Sequence, residues 1–278
     1  MSALGVMVRL EVADALRSRW AVFTGFVYAL VFGMFVWLGL RESSVLGFTG
    51  LSRVVLNMAN AVVLAVPLVA LVATCQTVVR ARQSGFFELM MSQPLRRSDW
   101  FYGAVVSRFV VVAGPLVVLL LMALVVGAVV SPRDGALLPI VLRTLAVTSS
   151  LSWSFIGLGF LVSTHAKTPE RATVAALLAW LVASALHDFA LIGLFLRVKL
   201  APQVVFALAA ANPVEAARIA ILGAIDPELS VLGPVGFWLA HTLGPTLSLV
   251  VGVAWPLCLG TAALLRAERI LVRSDVVG

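Results

Sequence analysis

The chain has 278 residues, of which 62% are hydrophobic and 12% charged, and its mean hydropathy is +1.08. A soluble domain carries roughly twice that charged fraction, and an outer-membrane barrel would need short alternating strands in place of the long apolar runs seen here. The formal charge of +7 does not point to nucleic acid, because the basic residues cluster beside apolar runs, where the positive-inside bias puts them.

In chain order, residues 3–19 place Leu4, Met7, Val8, Val12, Ala15 and Leu16 at helical spacing, with Arg9, Asp14 and Arg17 elsewhere on the wheel. This predicts an amphipathic helix lying in the membrane interface. Charged residues precede the first long apolar run and no cleavage pattern follows, so a secretory signal is not expected. Spans are expected at roughly 20–40, 54–78, 101–130, 140–163, 174–196 and 238–264, by the ~18 apolar residues that a crossing requires. Pro67, Pro115 and Pro256 fall inside spans, where proline kinks a helix locally. Between spans five and six, residues 197–237 form a longer mixed segment. The fold class is therefore an all-α polytopic membrane protein, a single transmembrane domain over residues 1–278. It has six transmembrane helices, an N-terminal interfacial helix, a cytoplasmic helix between spans two and three, and an extracytoplasmic helical segment between spans five and six.

Six spans put both termini on one side. That side holds Arg9, Arg17, Arg19, Arg80, Arg82, Arg96, Arg97, Lys167, Arg171, Arg266, Arg269 and Arg273, twelve basic residues. The other holds Arg41, Arg53, Arg133, Arg143, Arg197, Lys199 and Arg218, seven in all. The excess predicts cytoplasmic termini in a prokaryotic inner membrane. Cys75 and Cys258 form no CxxC pair and are expected as buried free thiols.

Residues 84–100, "SGFFELMMSQPLRRSDW", break the apolar pattern between spans two and three. Ser84 is a helix cap with Gly85 as a tight entry, Phe86 shares a face with Met90 and Phe87 with Met91, and Pro94 ends the helix. Ser98 and Asp99 restart a helix for the third span. A short helix of this kind either rests on lipid or docks into another protein.

The run "GFFELMMSQPLRRSDWFYG" resembles an element of ABC exporter permeases of the type-2 class, through Gly85, Glu88, Pro94, Arg97 and Gly103. The segments "LGFTGLSRVVLNMANAVVLAVPLVALV", "LVASALHDFALIGL" and "NPVEAARIAIL" are similar to the NosY subfamily of these permeases, which serves the NosDFY system for copper-site maturation of nitrous oxide reductase. The resemblance covers roughly residues 3–270. It implies a non-enzymatic permease subunit acting as a homodimer above two copies of a separate ABC ATPase, with an extracytoplasmic NosD-like partner. It also implies that Phe86, Phe87, Met90 and Met91 give the apolar contact to the ATPase. Glu88 would bond the N-terminal helix or the ATPase, and Arg97 would bond phospholipid or the ATPase. The second cytoplasmic loop, with Lys167, Glu170 and Arg171, would be a lesser contact or simply a charged loop that keeps orientation.

No GK[ST] sequence occurs, so the chain lacks the phosphate cradle of a nucleotide site. No cofactor is expected on this chain; ATP and Mg belong to the partner ATPase. His165, His187 and His241 fall on different spans or loops, without the convergent thiolate, thioether or imidazole groups that copper prefers, so no metal site is expected. Nor does a G-x-S-x-G nucleophile elbow occur, and no catalytic residue is assigned.

Asp188 and Arg143 sit within spans at similar depth and are expected to form an intramembrane polar pair, structural in role rather than a proton or substrate relay. Asn212 as cap, Pro213 at the first helical position and Glu215 at the third predict a helix start, with Arg218 one turn on. That helix is expected outside the membrane or partly within it, as a lid or, by resemblance, as a surface for the extracytoplasmic partner. Two further readings are a general exporter permease for lipid, drug or peptide, and a membrane-embedded enzyme using Asp188, His187 and Arg143.

Overall fold

In lipid every backbone N–H and C=O needs an internal partner, so the long apolar runs form helices. A computed structural model describes residues 3–17, 22–34, 51–91, 96–130, 135, 137–198, 201–223, 241–242 and 244–273, and among these there is no strand. Helices α1 (Ala3–Leu16), α2 (Val22–Met34), α3 (Leu51–Thr74), α4 (Thr77–Gln83), α5 (Phe86–Met91) and α6 (Arg97–Val130) come first. They are followed by α7 (Leu137–His165), α8 (Pro169–Leu181), a π-helical turn (Val182–Leu186) and α9 (His187–Arg197). Helices α10 (Pro202–Ala211), α11 (Pro213–Leu222) and α12 (Gly244–Arg273) complete the bundle.

Among the described residues, five stretches are long and apolar enough to cross a membrane: Ala61–Gln83, Arg97–Val126, Leu137–His165, Pro169–Leu194 and Thr246–Arg273. The first expected span, 20–40, is represented by α2 over Val22–Met34, and residues 35–40 lie outside the described part. Span six differs from expectation at both ends. It begins at Gly244, whose φ of 68° suits only a residue without a Cβ, and it runs through the charged segment to Arg273.

Helix α7 is the axis of the bundle, packing against α12, α3, α6 and α11. Lipid tails are as apolar as leucine, so helix association here depends on close packing and interhelical hydrogen bonds. At Gly260 a Cβ would lie 2.7 Å from the Trp153 carbonyl and 2.8 Å from Ser154 Cα, so α12 and α7 touch backbone to backbone. Ser150 Oγ donates to the Val253 carbonyl at 2.6 Å and Trp153 Nε1 to Thr261 Oγ1 at 3.1 Å across the same seam. Cys75 is buried, whereas Cys258 is exposed on the outer face of α12, contrary to the expectation for both thiols.

The segment after span five departs furthest from the reading above. Helices α10 and α11 are bent against each other by 116°. Each has ten residues, about 15 Å, half of a ~30 Å hydrocarbon core. The bend lies deep in the bundle. Asn212 Nδ2 donates to the carbonyl of Ala183, midway along span five, and Trp255 Nε1, midway along α12, donates to Ala211. The far end of α11 lies by Arg143 and Ser248, near the opposite ends of their helices. The expected extracytoplasmic helix of Asn212, Pro213, Glu215 and Arg218 is therefore a re-entrant hairpin. Its second limb is buried through Val214, Ala216, Ala217, Ala220 and Ile221 against α12, α7 and α3. One apolar face of α11 packs into the bundle, and the charged Glu215 and Arg218 on another are paired with each other and with Asp188.

Candidate coupling site and intramembrane polar cluster

At one end of the bundle, α3 breaks at Cys75–Gln76 and α4 restarts with unsatisfied N–H groups. Ser163 on α7 takes up two of them, accepting from Val78 N at 2.9 Å and Val79 N at 3.2 Å. Arg82 Nη1 donates to the Thr164 carbonyl at 2.9 Å, Gln83 Nε2 to the Lys167 carbonyl at 3.3 Å and Gln76 Nε2 to Thr173 Oγ1 at 2.6 Å. The connections after spans two and four are thus clipped together by side chains of α4.

Ser84 and Gly85 end α4, and Gly85 also opens α5 as expected, its carbonyl accepting from Leu89 N at 3.2 Å, whereas the Ser84 hydroxyl donates back to the Ala81 carbonyl. Ser84 N donates to the Arg80 carbonyl, and Gly85 N to that of Arg82, with Gly85 at φ 70° in the left-handed C-cap conformation. The short helix α5 follows over Phe86–Met91. Its Phe87 is 2% exposed, packed edge-on to Trp100 with ring centroids 5.0 Å apart. Phe86 stacks against both rings, at 5.7 Å from Trp100 and 6.0 Å from Phe87. Phe87 therefore faces the bundle and cannot be the outward contact expected of it. Among the described side chains of α5, Leu89 is the outward apolar one, 73% exposed. It was missed because pairing positions four apart selects Phe–Met faces and leaves the residue between them unassigned. The side chains of Glu88, Met90 and Met91, and all of Pro94, lie outside the described residues.

Arg97, expected to face lipid or a partner, has Nη1 at 3.4 Å from the Leu271 carbonyl and 3.5 Å from that of Val272. It caps the last turn of α12, where carbonyls are unpaired and the helix dipole is negative. Tyr102 Oη donates to Glu268 at 2.6 Å, a second tie between α6 and α12.

Helix α1 lies on α6 with the expected stripe as its inner face: Met7, Val8 and Val12 are half-buried and Ala15 is buried, while Leu16 is exposed. Glu11 stands in the same inward row. Glu11 accepts from Trp100 Nε1 at 3.1 Å. Burial pushes its carboxyl above the ordinary range, and the nearby Arg108 and the Trp100 N–H oppose that shift. Trp100 thus touches α5 through two aromatic rings and α1 through a hydrogen bond. Its place next to an acid–proline–arginine element was the signal for it in the sequence.

The second loop is shorter than expected. Thr168 caps α8, accepting from Arg171 N, and Pro169 takes the first helical position, so Glu170 and Arg171 lie on the helix and only Lys167 precedes it. The Thr-Pro-Glu start is a helix signal as clear as Asn212-Pro213.

In the opposite half of the bundle the expected Arg143–Asp188 pair does not form. Asp188 pairs with Arg218 of α11 at 3.1 Å, and Arg218 also pairs with Glu215 at 2.5 Å. Arg143 Nε instead donates to the Ala220 carbonyl at 2.6 Å, and its Nη2 lies 3.4 Å from Ser248 Oγ. Equal depth in two spans says nothing about which helix stands between them, and here α11 does. Asn212 does cap its helix, accepting from Val214 N at 2.9 Å, while its amide donates to the Ala183 carbonyl within the π turn. No group of three or more His, Cys, Asp or Glu able to hold a metal stands together among the described residues.

The family model described as ABC-2 family transporter protein matches residues 6–269. A Stutzerimonas stutzeri protein named "Probable ABC transporter permease protein NosY" is 25% identical over 265 residues, 93% of each chain. A Pseudomonas aeruginosa protein of the same name is 27% identical over 230 residues, 81% of this chain and 84% of that one.

Proposed function

The chain belongs to the ABC-2 family of transporter proteins and is a multi-pass permease subunit of an ABC transporter, and from that premise we propose that α5 is the docking helix for a separate ATPase. The observation that carries this is the division of α5 into two faces. Phe86 and Phe87 rivet it to Trp100, and Leu89 projects outward at 73% exposure. An element held on one side and apolar on the other transmits displacement to whatever holds it.

Two routes lead inward from α5. Through Trp100 and Glu11 a push reaches α1 and the start of α6. Through α4 and Ser163 it reaches the end of α7 and the connection to α8. ATP and Mg reside on the ATPase, and its closure tilts the spans. Two copies of this chain act together above two ATPase subunits, with α5 and both termini in the cytoplasm, in keeping with the excess of basic residues on that side. The task served is copper-site maturation of nitrous oxide reductase through an extracytoplasmic NosD-like partner, a reading supported by the NosY-named relatives.

The test is Leu89→Asp in the full chain, co-expressed with its partner ATPase. A fully buried leucine contributes about 1.5–3 kcal/mol, so loss of one such contact per copy weakens docking by about tenfold or more. The variant should insert and purify normally without the ATPase. Co-purification at wild-type yield would sink the assignment of α5.

A further inference from the structure

We propose that a basic cavity beside the end of α7 binds the phosphate of an anionic glycerophospholipid. The cavity, about 480 Å³, lies where the end of α7 meets α8 and α12. Ligand sites commonly occupy about 300–1,000 Å³. Three helices each supply one basic group to its lining: His165 from α7, Arg171 from α8 and Arg266 from α12. Leu161, Val162, Ala166 and Ala175 line the rest.

The charge arrangement calls for an anion. The two arginines come from segments nearly a hundred residues apart, yet line one cavity that includes no carboxylate. The ion pairs among the described residues are those of Arg218, in the other half of the bundle, so no described carboxylate pairs with either guanidinium here. Glu170, next to Arg171 in sequence, is not in the lining; its carboxylate is engaged at the start of α8 by the Thr168 hydroxyl. Two other arginines at this end have protein acceptors, Arg82 at Thr164 and Arg97 at Leu271. His165 Nδ1 bonds the Leu161 carbonyl at 2.8 Å, which fixes the ring at the rim.

The depth and the apolar wall select a lipid over a soluble anion. Arg171 is the third residue of α8, and Arg266 stands seven residues before the end of α12, about 10 Å along its axis. Both stand near the ends of their spans, where headgroups meet a spanning bundle, beside the apolar Leu161, Val162 and Ala175. Guanidinium forks fit phosphate oxygens in bidentate geometry, and basic pockets between transmembrane helices suit anionic headgroups. A lipid here would tie span five to spans four and six at the same end as α5. The proposal needs only that the chain is embedded in a membrane, so it stands or falls separately from ATPase docking.

The experiment measures binding of phosphatidylglycerol and phosphatidylcholine to the full chain in detergent, by native mass spectrometry across a lipid titration. Wild type should prefer phosphatidylglycerol at least tenfold. Arg171→Gln with Arg266→Gln should weaken that binding about thirtyfold, from two basic contacts at the surface. Arg9→Gln with Arg96→Gln, exposed arginines at the same end, should change it less than threefold. If the double variant fails to fold, Arg266→Gln alone should give about a fivefold loss. Equal affinity for the two lipids, or an unchanged affinity in the pocket variants, overturns the proposal. So does displacement of phosphatidylglycerol by millimolar inorganic phosphate, which would make this a free-phosphate site. Loss of ATPase co-purification with lipid binding intact would instead identify a contact for an acidic protein segment, and would equally overturn it.

Discussion

Asn212 offers a quantitative check on the re-entrant hairpin, because one side chain makes two bonds of different kinds. Its Oδ1 accepts from Val214 N at 2.9 Å, and its Nδ2 donates to the Ala183 carbonyl at 2.6 Å, with the residue 6% exposed. Asn212→Ala removes both. Losing the cap costs about 1 kcal/mol and losing the second bond about another, roughly 2 kcal/mol together. For a chain of this size that lowers Tm by about 4–8 °C. Asn212→Ser keeps an acceptor for the cap and loses only the reach to Ala183, so about half of the loss is expected. Asn212→Asp is the decisive member. At a solvent-exposed cap, aspartate and asparagine are interchangeable. Here a carboxylate at pH 8 has nothing to donate and faces a carbonyl in a site shielded from water, so it should cost at least as much as alanine. The assay is thermal unfolding in detergent, followed by monodispersity on size exclusion. An aspartate variant within 1 °C of wild type would refute the deep placement of the hairpin, since only a solvated cap tolerates that exchange.

Two further outcomes follow from packing. Phe87→Ala, on the buried face of α5, should destabilise the isolated chain by about 3–5 kcal/mol and reduce folded yield, in contrast to Leu89→Asp, which should leave stability within about 0.5 kcal/mol; equal melting temperatures for the two variants would show the faces wrongly assigned. Gly260→Ala should force α12 from α7, because its Cβ would meet backbone at 2.7–2.8 Å, and backbone cannot rotate aside; normal yield and melting of this variant would show that the seam is looser than described.

Much of the fold was legible in composition alone. Long apolar runs must be helices in lipid, and their lengths located spans two to five to within a turn or two at most ends. Cap chemistry was equally local. Asn212-Pro213 marked the start of α11, and Thr168-Pro169, not used in the sequence reading, marked α8 as plainly. The acid–proline–arginine element located α5, and the family match agrees with the class that this element indicated.

What sequence could not carry was the partner of each group. Phe87 and Leu89 are both apolar, and only Trp100, thirteen residues after Phe87 and folded back under it, decides which of them faces in. Asp188 and Arg143 had matching depth, but the helix that enters between them comes from the segment expected outside the membrane or partly within it, and Arg218 on that helix takes Asp188. A ten-residue apolar helix is too short to cross and has no reason from its own sequence to enter halfway. It enters because Gly252 and the small residues Ala216 and Ala220 let α11 lie directly on α12, and because Asn212, Trp255 and Arg143 satisfy the backbone groups at its two ends. Apolarity and backbone satisfaction are local and therefore written in the sequence. Depth and pairing depend on which surfaces meet, and the assembled bundle alone determines that.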